Sequence, residues 1–296
     1  MWWLVGVAMA VELDVHSVEN FLRAMEMADA GVPLKLALRR QYLSPESDAQ
    51  RAFLRYANAR SARRLARCVE RHPELYGQIE HRLRDVQGAH GSIIQALDAI
   101  TELFPSLLVP TVYVHVGCFN SGGTATRHGL HVGLEHFTRP EPFPERYRNT
   151  WFDVALHEPD VFPRMVIHEL AHFQQPDQAP TLLHMALIEG GADFVAHLFA
   201  GGVVTPNHDF GRAHEADIWD VFSAQMQDKP MAGTWFYTET GTDWPRDLGY
   251  FVGFRIVEAY WEQADDKAQA LSDLFALEDV ELILEQSGYA QRFAAP

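Results

Sequence analysis

The chain has 296 residues, 47% hydrophobic and 22% charged, the balance of an ordinary globular protein. That length carries an ample core. A formal net charge of −16 excludes the basic footprint of a nucleic-acid-binding surface.

The opening stretch, MWWLVGVAMAVELD, is apolar, and Ala8-Met9-Ala10 has the small-x-small pattern of a cleavage site. It lacks a basic leading region and is too short to span a bilayer, so no transmembrane segment is expected there. It is either the remnant of an export signal or a buried first element. The compartment stays open between cytoplasmic and exported. Cys68 and Cys118 are one pair and do not decide it.

Residues 14–104 are expected to form consecutive helices. Asp14 or Ser17 caps the first and Gly31 follows its end; Pro33 opens a short second one. Ser44 as N-cap with Pro45 in the first helical position restarts the next. His72-Pro73 marks a further break. From Ile79 to Phe104 the apolar stripe Ile79, Leu83, Val86, Ile93, Leu97, Ile100 predicts one long helix, with His90 in it as a core histidine. Arginines crowd residues 35–71 and are expected on a solvated face.

Two alternating runs follow, Thr111–Val116 and Gly129–Glu135, separated by the turn cluster Asn120-Ser121-Gly122-Gly123-Thr124. They predict an antiparallel pair. Residues 138–160 are proline- and aromatic-rich and read as a loop near the site. Pro163 and Pro176 bracket the next helix, and Thr181 caps another that ends at Gly201-Gly202. Helices are expected at 210–226, from an Asp247 cap onward, and at 267–276 and 278–287. With no repeat or linker, the chain is expected to be a single domain over 1–296, with a helical portion 1–105 and a portion 106–296 holding sheet, metal-binding helices and C-terminal helices.

The Pro163–Pro176 helix holds His168-Glu169-Leu170-Ala171-His172, an HExxH pattern. Histidines four apart share one helix face and can grip one ion, while Glu169 can act as general base on an activated water. Zinc chemistry needs a third protein ligand. A metzincin would place Gly at 175 and His at 178, and both are Gln. The gluzincin solution is a glutamate on the following helix, and Glu189 fits. Gly190 and Gly191 are costly inside a helix and imply close approach there. Asp193, one turn on, is suited to hold a ligating histidine's free ring N–H. Transition-state donors are sought downstream among Tyr250, Arg255, Tyr237, His208 and His214, with Tyr250 favoured. The Leu130–Glu135 strand would be an edge for an extended peptide, with His131, Glu135 and Arg255 as substrate-cleft candidates.

Four stretches in order, VYVHVGCFNSGGTATRHGLHVGLE, MVIHELAHFQQ, LIEGGADFVA and DLGYFVGFRIVEAYWEQADDKAQALSDLF, resemble the bacterial predicted zinc-dependent protease family of the HExxH class, related to the gliding-motility lipoprotein group. The resemblance implies an α+β, mostly helical, zincin-like fold with a small antiparallel sheet beside the HExxH helix. It implies one zinc ion on His168, His172 and Glu189, with Glu169 catalytic. The expected function is a zinc metallopeptidase acting on a peptide or protein substrate; the alternative is a silent scaffold of the same fold that binds a structural metal.

Overall fold

The computed structural model describes residues 11–44, 46–148, 150–202, 207–230, 235–237 and 244–294. The apolar start at 1–10 and the helix-opening role of Pro45 lie outside the described residues. The fold is α+β, mostly helical with one small mixed sheet. The expected single domain is drawn as two compact units, Met1–Asp98 with Val109–Glu169, and Ala99–Leu108 with Leu170–Pro296.

The first unit opens with strand β1 (Leu13–Asp14) and helix α1 (His16–Asp29). Asp14 does meet the helix start, accepting from the His16 N–H at 2.9 Å, though Val15 occupies the cap position. Pro33 precedes α2 (Leu34–Ala37), which runs on as a π-helical turn over Leu38–Leu43. The expected Ser44 cap is displaced by three residues. Ser47 caps α3 (Asp48–Tyr56) by accepting from the Gln50 N–H at 3.1 Å, while the Ser44 hydroxyl donates to the Arg39 carbonyl at 2.7 Å. Helix α4 (Ala62–Arg71) stops at His72, and Pro73 opens α5 (Pro73–Tyr76).

The long stripe is carried by two helices, α6 (Ile79–Gly88) and α7 (His90–Leu103). Ala89 breaks the run between Gly88 and Gly91, residues that weaken a helix interior, so the stripe keeps its period across the break. His90, expected in the core, is only half-buried, and its Nε2 donates to the Val11 carbonyl at 2.8 Å.

The sheet has the order β1-β2-β4-β3, with β2 at Val112–His115, β3 at Gly123–Thr126 and β4 at Gly129–Gly133. The expected antiparallel pair is corrected: β2 and β4 are parallel. The chain reverses twice between them, because Gly123–Thr126 forms a strand of its own, antiparallel to β4. That run lacks alternating large apolar residues, so nothing in its pattern marks a strand. As a result β4 is an inner strand and β3, like β1 at the other end, is an edge.

Val112, Val114, Leu130 and Val132 fill one sheet face. On the other, Phe53 of α3 stacks on His115 and His131, with ring centroids 4.7 and 6.2 Å apart. Cys68 of α4 and Cys118, in the loop after β2, form a disulfide, their Cα atoms 5.8 Å apart. The 138–160 stretch is less irregular than expected, since it holds α8 (Trp151–Ala155). It packs through Tyr147 and Phe152 against His72, with centroids at 5.7 and 4.7 Å.

Helix α9 (Phe162–Gln174) carries the HExxH residues and runs through the division between units. In the second unit, α10 (Leu182–Ala200) begins at the expected Thr181 cap and ends at Gly201, whose φ is +70°. The expected helix 210–226 is two, α11 (Asn207–Ala213) and α12 (Glu215–Gln225), followed by α13 (Leu248–Gln263), α14 (Lys267–Ala276) and α15 (Val280–Ser287).

Helices α10 and α13 cross at contact distance because glycines face each other. A Cβ on Gly253 would stand 1.7 Å from the Ala186 carbonyl oxygen, and one on Gly190 2.2 Å from the Phe254 nitrogen. The close approach expected at Gly190 is therefore helix against helix. Leu183, Leu187, Phe194, Phe222, Phe236, Phe251 and Phe254 fill the surrounding core. Helix α10 is long and apolar enough to cross a membrane, yet 72% of that stretch is buried inside the protein.

Candidate metal centre

Pro163 in the first turn and Pro176 just past the end hold α9 to thirteen residues, with His168 in the middle of this short helix and His172 in its last turn. The ligand atoms of His168, His172 and Glu189 all lie within 4.8 Å of one another. Nε2 of His172 is 3.4 Å from Oε2 of Glu189. Two donors on one tetrahedral zinc stand about 3.3 Å apart, from bond lengths near 2.0–2.1 Å. Two imidazoles and a carboxylate are also the donor set zinc takes when a position is left for chemistry. The residues fit the ion.

Glu169 is buried at 5% exposure. Edge strand β3 closes on it: a Cβ on Gly123 would lie 2.4 Å from Glu169 Oε1. Gly123 belongs to the Gly-Gly turn cluster noted in the sequence, and the absence of a side chain leaves room for the carboxylate.

Glu189 is held on its other side by a tyrosine. The Tyr237 hydroxyl donates to Glu189 Oε1 at 2.5 Å. Its backbone is fixed by Asp247, whose Oδ1 accepts from the Tyr237 N–H at 2.5 Å and whose Oδ2 accepts from Arg246 Nε at 2.6 Å. Asp247 is thus not the side-chain cap expected for α13; at φ +62° it clasps the Tyr237 turn instead. Tyr250 packs edge-on against Tyr237, with centroids 6.4 Å apart and planes at 87°. Burial first, and then the Glu189 charge, push the Tyr250 hydroxyl well above its ordinary pKa, with Asp193 contributing in the same direction. The hydroxyl stays protonated and able to donate. Asp193 is buried at 5% on α10, one turn beyond Glu189.

His172 has a partner absent from the sequence reading. Its Nδ1 is 2.9 Å from Gln175 Oε1, and Gln175 Nε2 points at the carbonyls of Ile188 (3.3 Å) and Leu274 (3.4 Å). The available signal was its spacing, three residues after His172 on the same helix face.

Three cleft candidates are corrected. His131 is fully buried on inner strand β4, bonded through Nδ1 to His115 Nε2 at 3.0 Å and through Nε2 to Thr126 Oγ1 at 2.7 Å. Glu135 is also fully buried and accepts from the N–H groups of Gly117 (2.8 Å) and Phe119 (3.3 Å), so it fastens the loop after β2. Burial pushes its carboxyl up to about 7. Arg255 binds Glu215 Oε1 through Nε at 2.8 Å and pairs with Glu258, an internal clasp with 13% of its side chain exposed. Of the other downstream candidates, His208 is buried edge-on to Phe251 and Phe254, and His214 packs on Phe210.

The sequence profile of the family described as Gliding motility protein GldB matches residues 8–291. No curated protein and no solved structure matches the chain. The resemblance to a zinc-protease family is thereby corrected: the family spanning the chain is a gliding-motility one, and the match contributes nothing for protease, zinc or HExxH chemistry. A metal reading rests on the chain's own residues alone.

Proposed function

We propose that this chain, which belongs to the gliding motility protein GldB family, holds one zinc ion on His168, His172 and Glu189 and hydrolyses peptide bonds. The observation that carries the reading is the convergence of the three ligand atoms within 4.8 Å, with Glu169 beside the first histidine. The arrangement of edge strand, HExxH helix and following glutamate helix then corresponds to a zincin-like fold.

An ion held there supplies Lewis acidity, drawing the pKa of a water towards 7 and polarising a carbonyl. Glu169, in its enclosed position, takes the proton of the attacking water and delivers it to the leaving amine. Tyr237 and Tyr250 present hydroxyl donors on the Glu189 side for the developing oxyanion. A peptide or protein substrate pairs in extended form with β3, the sheet edge that carries Gly123.

A second reading is a metal held without turnover. It is favoured by the enclosure of Glu169, whose carboxylate has Gly123 directly against it. Metal analysis and peptide assays together separate the readings. The proposal expects about one zinc per chain, lost in His172→Ala, together with cleavage in a broad peptide library. Zinc without cleavage supports the second reading, and the absence of zinc after reconstitution overturns both.

A further inference from the structure

We propose that Gln175 is the positioning residue of this centre, fixing His172 in the Nδ1–H form and tying it to α10 and α14. The inference rests on the metal reading above for its consequence, but its geometry stands on its own. An amide has one accepting end and one donating end. The Ile188 and Leu274 carbonyls, at 3.3 and 3.4 Å, accept only, so the Gln175 nitrogen must face them. Oε1 is then turned to His172 Nδ1 at 2.9 Å. Nδ1 therefore carries the hydrogen and donates it. The Nε2 lone pair is left directed at the Glu189 side, where Oε2 lies 3.4 Å away. An imidazole nitrogen with its lone pair towards a carboxylate is arranged to share a cation.

The anchoring carbonyls give the bond a further role. Ile188 immediately precedes Glu189, so the same amide that orients one ligand also grips the backbone beside another. Leu274 lies in α14, distant in sequence from both. Gln175 is itself buried at 7% exposure. Its amide leaves little freedom to either histidine ring or α10 backbone, which is how a residue that never touches an ion raises affinity for it.

The test uses the full-length protein, Gln175→Met and Gln175→Glu. Side-chain nitrogen–proton spectra of histidine-labelled, metal-free protein at pH 8 report the His172 tautomer. Competition with a chromogenic chelator reports zinc affinity. The wild type is expected to show the Nδ1–H form. Gln175→Met is expected to lose that preference and bind zinc about 10–100-fold more weakly, the usual cost of removing a partner of a ligating histidine. Gln175→Glu keeps an acceptor and restores the Nδ1–H form. An Nε2–H form in the wild type overturns the inference, even if the variants do not fold. So does a Gln175→Met protein with wild-type tautomer and affinity. A wild type that takes no zinc sinks the metal reading, while the tautomer spectrum still decides the role of Gln175.

Discussion

The Tyr237 hydroxyl donates to Glu189 Oε1 at 2.5 Å, so the proposed carboxylate ligand is bonded to a side chain 48 positions further along the chain. The Glu189 oxygen facing His172 is the other one, Oε2. One carboxylate thus meets a histidine through one oxygen and a phenol through the other.

Tyr237→Phe removes this donor and keeps the ring. If the hydroxyl also turns to a developing oxyanion, kcat on a cleaved peptide falls about 10²–10³-fold, and zinc affinity falls about 10–100-fold because Glu189 loses its hydrogen-bond partner. Tyr250→Phe lowers kcat less, because it is Tyr237 that bonds Glu189. Steady-state kinetics with zinc content checked on each variant measures both. Equal activity in wild type and Tyr237→Phe would remove Tyr237 from the mechanism.

Glu135 gives stability a dependence on pH. Its folded carboxyl is raised from the ordinary carboxylate range to about 7, chiefly by burial. Its contribution is fully present below the unfolded value and is lost as pH rises through 7, by on the order of 3 kcal/mol for a fully buried group. Glu135→Gln is expected to flatten the alkaline side of the profile of urea midpoint against pH between 5 and 8. His131, His136 and His157, all lowered to about 4 mainly by burial, act in the opposite sense. Their contribution is present above 6.5 and lost as pH falls towards 4. A Glu135→Gln profile that keeps the wild-type slope above pH 6 would refute the assignment.

The α10–α13 contact makes a sharp stability contrast. In Gly253→Ala the new methyl meets the Ala186 carbonyl, backbone that cannot step aside, so the loss exceeds about 3 kcal/mol or the protein fails to accumulate. Gly91→Ala, in α7 with nothing within 4 Å of the added carbon, gains about 0.5–1 kcal/mol. Thermal or urea unfolding of the two proteins checks the pair. Near-equal stabilities would mean that the helices do not touch at Gly253.

Much of this was legible in the sequence because it is local. The four-residue spacing of His168 and His172, the Thr181 cap, the bracketing prolines and the span of α14 depend on neighbours a few positions away. With a metzincin histidine excluded, Glu189 is the third ligand the spacing suggests, and the structure places the candidate ligand atoms of His168, His172 and Glu189 within 4.8 Å of one another.

The misses came where distant segments decide. Alternation showed that His131 lies on the opposite sheet face from Val132, but not that Phe53 of α3 covers that face. Glu135 looked available because nothing near it in sequence shows the Gly117 and Phe119 N–H groups it accepts from. Arg255 is paired with Glu215, forty positions earlier. Strand β3 was hidden by its small residues, and with it the parallel pairing of β2 and β4. Gln175 stands where a metzincin has glycine, and its bonds are fixed by Ile188 and Leu274, which are distant from it in sequence.

The most direct measurement of the central claim is peptide hydrolysis by Glu169→Gln against wild type, both carrying the same measured zinc. Glutamine fills the Gly123-lined space of Glu169 without accepting a proton, so the ion stays and the chemistry stops. Cleavage by wild type and a fall of about 10²–10⁴-fold in the variant are expected, the range for losing a positioned acid–base group. Equal rates in the two proteins, or a zinc-loaded wild type that cleaves nothing, would contradict the claim.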